Sequence, residues 1–222
     1  MSDVIKVDVW SDIACPWCYI GKRKFEAGAQ AFAAAHPGTD VEVTYHSFEL
    51  APDTPVDYDG SEIDFLVAHK GYPADQVRQM LDRVSGIAAE VGLDYDFDAL
   101  QHTKTIKAHQ LLHYAKQHGK QIEAKERLMR AYFIEGRHVG REEELADLAA
   151  DIGLDREDVL RSLRAGEYLD EVQADIELAT RYGIQGVPFF VFDTKYGVSG
   201  AQAPEIFQQV LDKVLDERVP SA

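Results

Sequence analysis

The chain has 222 residues, 45% of them apolar and 28% charged, which suits one folded domain, or one carrying a large insertion, and excludes a disordered chain, a collagen and a coiled-coil rod. Acidic residues outnumber basic ones by 39 to 23, a net charge of −16, so nucleic acid and anionic membrane surfaces are not expected partners. The same excess serves solubility.

At the N-terminus Met1-Ser2-Asp3-Val4-Ile5-Lys6 lacks a basic segment followed by an apolar one, and no run approaches the ~18 apolar residues of a membrane span. The expected setting is cytoplasmic. Ile5, Val7 and Val9 alternate with Lys6 and Asp8, which predicts a strand. Cys15-Pro16-Trp17-Cys18 follows it and opens a helix. A second strand is predicted over Val41 to Phe48.

Between Ala74 and Val187 there is no proline, and helices tolerate proline badly beyond their first turn. Val77, Leu81, Val84, Ala88 and Val91 recur at helical spacing between Pro73 and Gly92. Leu169, Val172, Ile176 and Ala179 repeat the pattern before Gly183. Gly119, Gly153 and Gly166 punctuate the helices between. From Glu62 to Tyr182 no strand-like alternation occurs. Phe189 to Phe192 is a short apolar run suited to a buried strand, Val198 lies in a second short strand, and Pro204 to Val214 is helical again. The expected architecture is α/β: a discontinuous sheet domain over 1–61 and 183–222, with an all-helical insertion over 62–182.

The two cysteines, Cys15 and Cys18, are the only ones in the chain. Spaced i and i+3 on a first helical turn, they can come within disulfide distance. The helix start favours an anion, which predicts a lowered pKa for Cys15 and makes it the attacking thiol, with Cys18 resolving. Pro16 suits the first turn because its missing N–H costs nothing there. A zinc site would need two further ligands, with His46 the best-placed histidine, and no second pair stands at finger spacing. A purely structural disulfide closing so small a loop would remove little chain entropy. Gly186-Val187-Pro188-Phe189 is the second signal, since proline is allowed at a strand's first position.

Together these features resemble the thioredoxin superfamily, and the long helical insertion resembles its DsbA branch. Ser11 to Lys22 and Tyr182 to Phe190 are similar to the FrnE-like proteins, which are related to 2-hydroxychromene-2-carboxylate isomerases and kappa-class glutathione transferases. The resemblance implies a thioredoxin-like fold and a thiol–disulfide oxidoreductase acting on protein disulfides or small thiols. It implies catalytic Cys15, Cys18 and a cis Pro188, with Pro16, Trp17 and the Val187 backbone contacting substrate. No bound cofactor and no metal are implied; glutathione is a candidate thiol co-substrate. A glutathione-dependent isomerase and a chaperone-like binding module are the alternative functions, and the isomerase relatives carry serine in place of the first cysteine.

The chain also departs from the family. Val9 stands where a buried acid is common, with Asp8 on the opposite sheet face. Asp12, in the loop, is either a proton acceptor for Cys18 or a loop cap. Trp17 replaces the histidine of DsbA and supplies no cation, which predicts a potential on the reducing side of DsbA. His102 stands where many FrnE-like chains have asparagine. His109 and His113, at i and i+4, could chelate a metal but read better as a polar helix face. Arg137, His138 and Arg141 are either an anion-attracting cluster or a solvated loop. Trp10, Tyr19, Phe25 and Phe32 are expected in the core or lining a groove.

Overall fold

A computed structural model of the chain describes residues 3–218; the outermost ends of the predicted sheet domain lie outside them. Strands β1 (Asp3–Ser11), β2 (Thr39–Ser47), β3 (Phe189–Phe192) and β4 (Tyr196–Ser199) form one sheet in the order β2-β1-β3-β4. β1 and β2 are parallel, while β3 is antiparallel to both β1 and β4. Parallel neighbours need a crossover, which α1 (Pro16–Ala35) supplies. The alternation in β1 sorts its two faces. Ile5, Val7 and Val9 enter a core with Phe25 and Phe32 of α1, Phe190 and Phe192 of β3, and Phe207 and Leu211 of α9 (Pro204–Arg218). Gly28 lets α1 meet α9: a Cβ there would lie 2.4 Å from the Pro204 carbonyl oxygen. On the other face Trp10 packs with Ala179, Ile184 and Val191.

Between β2 and β3 every regular element among the described residues is helical. They are α2 (Glu62–Lys70), α3 (Ala74–Ala89), α4 (Ile106–Gln117), α5 (Gln121–Phe133), α6 (Glu142–Ala150), α7 (Arg156–Ala165) and α8 (Leu169–Arg181). Local chemistry sets several ends. Ser61 and Asp64 form a reciprocal capping box at the start of α2, and Gly71, at φ 72°, ends it. Asp155 caps α7 and Gly166 closes it. The helix predicted through Val91 stops at Ala89, and the chain turns at Gly92, φ 77°. α4 is central, with every residue from Ala108 to Ala115 buried, whereas α2 has no buried residue.

The start of α1 belongs to the helical side of the molecule as much as to the sheet. Ile13, Cys15, Cys18, Tyr19 and Ile20 share one buried cluster with residues of α4, α5, α6 and α7. A polar network makes a second junction. His46 on β2 stacks on Trp10 and bonds Asp8 Oδ1 at 2.8 Å and Asp175 Oδ1 at 2.6 Å. Asp175, on α8, also receives the Ser47 amide and His113. Burial opposes charge on His46, but the two carboxylates outweigh it and push its pKa up to about 9.

A folded-state pKa raised above the unfolded value gives stability that is complete below about pH 6.5 and lost as pH rises through about 9. Unfolding free energy should therefore fall over that window by up to roughly 3 kcal/mol on account of this group. Denaturant titrations of His46→Gln should lack that component; an identical pH slope in the variant would refute the assignment.

Candidate active site

β1 ends at Ser11 and the chain turns through Asp12 to Ala14, so α1 starts just beyond the carboxyl end of an interior strand. Cys15 is the N-cap, with extended backbone (φ −102°, ψ 111°), and Pro16 occupies the first turn. The Cys18 amide donates to the Cys15 carbonyl at 3.0 Å, and each thiol perturbs the other's titration. Cys15 Sγ lies 3.6 Å from the Val187 carbonyl oxygen. The Val187–Pro188 peptide bond is cis. Pro188 sits directly against α1, because a Cβ on Gly21 would lie 2.8 Å from its Cγ. From the helical side, the Tyr95 hydroxyl donates to the Pro16 carbonyl at 2.8 Å.

Both cysteines are nearly enclosed, Cys15 at 3% and Cys18 at 2% exposure. Cys15 nevertheless lines a cavity of about 390 Å³, and Cys18 does not. Pro16, Trp17, Gly186 and Val187 border the same cavity, and Leu66, Met80, Leu81, Val84 and Phe97 make its apolar wall. Trp17 is 39% exposed. His102 closes one side, its Nδ1 2.7 Å from Glu62 Oε2 and its ring stacked on Phe65. The structure thus brings Cys15, Cys18, Pro16, Trp17, Val187 and Pro188 together at one site.

The hydrogen bond to Cys18, followed by burial, pushes the Cys15 thiol well up. Burial also raises Cys18, but the hydrogen bond from Cys15, the Lys125 cation and the Ser11 hydroxyl outweigh it and hold Cys18 below the ordinary thiol value. The two thiols thus share one negative charge between them. Cys15 faces a carbonyl oxygen, which favours its protonated form.

Asp12 is a buried loop cap. Its Oδ1 accepts from the Ile13 amide at 2.7 Å and contacts His109 Nε2 at 3.1 Å, while Oδ2 accepts from the Leu50 amide at 2.8 Å. Burial raises its pKa, yet the bonds to His109 and Leu50 bring it below the usual carboxylate range. His109 and His113 are therefore not a solvated polar face; both are buried and bonded to carboxylates. Among the described residues no group of three or more His, Cys, Asp or Glu side chains could hold a metal ion. Nor do Arg137, His138 and Arg141 form an open loop. Arg137 pairs with Glu144, Arg141 with Asp57, and the buried His138 meets the Val56 carbonyl. Trp10, Tyr19, Phe25 and Phe32 are all core residues. Sequence reasoning missed Ser11, Gly21, Tyr95 and Lys125. Only Gly21 carried a signal, as a small residue one turn beyond Cys18.

The DsbA-like thioredoxin domain model matches residues 6–212, and the chain belongs to that family. The uncharacterized protein YwbO of Bacillus subtilis (strain 168) is 26% identical over 211 residues, 93% of this chain and 96% of its own. The crystal structure of a probable DsbA oxidoreductase, SCO1869 from Streptomyces coelicolor, superposes with a TM-score of 0.89 at 40% identity, covering 98% of this chain and 93% of that one. The cytosolic disulfide reductase DsbM from Pseudomonas aeruginosa, solved with GSH, has the same fold, with a TM-score of 0.63 at 20% identity over 95% of this chain and 99% of its own. Among the described residues no helix is long and apolar enough to cross a membrane.

Of the two thiols only Cys15 lines the cavity, and an alkylating agent must reach the sulfur it modifies. In the reduced protein near neutral pH, iodoacetamide should modify Cys15 several-fold faster than Cys18, as peptide mass spectrometry would show. Equal rates, or faster labelling of Cys18, would remove the distinction between attacking and resolving thiol.

Proposed function

We propose that the protein is a thiol–disulfide oxidoreductase working as a disulfide reductase or isomerase, with Cys15 attacking and Cys18 resolving. The observation that carries this reading is the pair of free thiols at the start of α1, with only Cys15 of the two opening onto the cavity. Cys15 Sγ attacks one sulfur of the substrate disulfide as a thiolate, with the pair's remaining proton on Cys18. A mixed disulfide forms and one substrate thiolate leaves. Cys18 then passes that proton to the departing thiolate and attacks Cys15 Sγ, which releases the second thiolate and closes the Cys15–Cys18 disulfide. Pro16, Trp17 and the Val187 backbone border the path of the substrate. Pro188 fixes that backbone against Gly21.

Glutathione is the proposed thiol that returns the pair to its reduced state. The structure of DsbM with GSH supports this only by likeness of fold. A cytoplasmic setting is supported by the absence of any cysteine beyond the pair. We read 62–182 as the helical insertion domain of a discontinuous sheet domain, since every element from Glu62 to Arg181 is a helix. The retained Cys15 weighs against the isomerase alternative, whose relatives use serine there.

Insulin-disulfide reduction with glutathione should be abolished by Cys15→Ser. Cys18→Ala should accumulate a mixed disulfide on Cys15 that denaturing electrophoresis resolves. Undiminished reduction by Cys15→Ser, or aggregation suppression as the only measurable activity, would overturn the reading.

The poise follows from charge near the sulfurs. DsbA lies at about −120 mV and thioredoxin near −270 mV; with Trp17 supplying no cation, a value between about −160 and −250 mV is expected. Trp17→His should raise it by placing a partial cation beside the thiols. A glutathione-buffer titration reads both, and a shift of Trp17→His to more negative potential would defeat the electrostatic account.

A further inference from the structure

His102, in the loop before α4, is 6% exposed. Its Nδ1 lies 2.7 Å from Glu62 Oε2, with the Tyr132 hydroxyl at 3.5 Å, and its ring stacks on Phe65 with centroids 3.5 Å apart. A carboxylate only accepts, so Nδ1 donates its proton to Glu62, and the ring cannot turn without losing that bond. Nε2 is left over. It is buried and has no hydrogen-bond partner, a costly state for a polar atom. His102 also lines the cavity onto which Cys15 opens. Among the described residues of that lining, it alone carries such an orphaned side-chain atom.

The rest of the lining narrows what could meet that atom. The volume of about 390 Å³ falls in the range of small-molecule sites, and Leu66, Leu81, Val84 and Phe97 make the wall apolar. Two carboxylates border the space: Glu62, committed to His102, and Asp12, committed to His109 and two amides. Lys70 is the one lysine or arginine on the lining, and it is exposed. An anionic ligand would therefore meet like charge with no buried cation to offset it. We propose that the cavity binds an uncharged, largely apolar, low-molecular-weight disulfide bearing a hydroxyl, which bonds His102 Nε2, with Glu62 orienting the ring. A hydroxyl donates to a neutral imidazole and accepts from a protonated one, so it satisfies Nε2 in either state. This rests on the reading of Cys15 and Cys18 as a redox pair. The bound disulfide takes up two electrons and two protons and leaves as two thiols. Two molecules of glutathione supply both and end as glutathione disulfide.

The full chain is assayed with glutathione on matched disulfides that differ at the chain end: bis(hydroxybutyl), dipentyl and bis(carboxypropyl) disulfide. The hydroxyl compound should have a kcat/KM about tenfold above its methyl counterpart, and the carboxylate compound should fall below the hydroxyl one. His102→Phe keeps an aromatic ring against Phe65 and removes the nitrogen. It should bring the hydroxyl-to-methyl ratio close to unity, whereas lost packing alone would lower both rates and leave the ratio. Should His102→Phe fail to fold, Cys18→Ala carrying a hydroxybutyl or a pentyl group on Cys15 as a mixed disulfide decides the matter. The His102 Nε2 nitrogen resonance should differ between the two adducts. Equal kcat/KM for the hydroxyl and methyl compounds, a carboxylate compound as good as the hydroxyl one, a ratio unchanged in folded His102→Phe, or identical Nε2 resonances would overturn the proposal. If neither these disulfides nor insulin is reduced in a Cys15-dependent way, the redox-pair reading itself fails.

Discussion

One buried carboxylate, Asp12, holds the site together. Its oxygens bind the amides of Ile13 and Leu50 and the imidazole of His109. Those partners lie in the turn that delivers Cys15, in the segment after β2 and on α4. Backbone and side-chain donors around a buried carboxylate replace the water it has lost, so the three segments must meet in one arrangement or the charge is left uncompensated. The thiols inherit their position from this arrangement, since Ile13 and Cys15 are fixed on either side of Ala14.

The same logic recurs around the site. Asp175 gathers His46, His113 and the Ser47 amide where sheet and helices meet. Burial alone would raise the Asp175 pKa, but its two histidine partners bring it down. Such clusters add little stability over well-packed apolar groups, and their effect is to specify a single packing. Here they join the two β1-flanking layers in which Cys15, Val187 and Pro188 meet. Glu126 plays a comparable part at the outer surface of α1, where it binds Lys22, Arg23 and Tyr19.

Strands were legible in the sequence wherever one face alternates, as in Ile5, Val7 and Val9, and helices wherever glycine or proline marks their ends. The thiol pair and Val187-Pro188 were legible because each motif sits beside a recognisable element boundary. Asp12 was legible as a polar loop residue, but its partners were not, because a helical pattern cannot say which polar residue turns inward. α4 shows the reason. Eight consecutive residues from Ala108 to Ala115 are buried, so the helix has no apolar stripe to set against a wet face, and His109 looked like an outer position. Lys125 was missed on the same ground: lysine on an amphipathic helix reads as solvated, and only tertiary packing buries it beside the Ser11 carbonyl. The helix-end argument for Cys15 counts one field and omits the Val187 carbonyl and the second thiol, neither of which a sequence places beside it.

The hydroxyl of Tyr95 on the Pro16 carbonyl gives the helical segment a mechanical meaning. Tyr95 follows α3 in the chain and stacks on Phe133 at the end of α5. Through that one phenol the helical layer grips the peptide group between the two cysteines. A minimal version of this molecule, with the helices trimmed to leave a sheet and two covering helices, would lose that grip. It would also strip Asp12 of His109 and expose the inner faces of Ile13 and Ile20. The helices are therefore part of the scaffold on which the thiol turn is built, and a graft of the Cys15–Cys18 segment into a bare sheet domain would carry the motif without its supports.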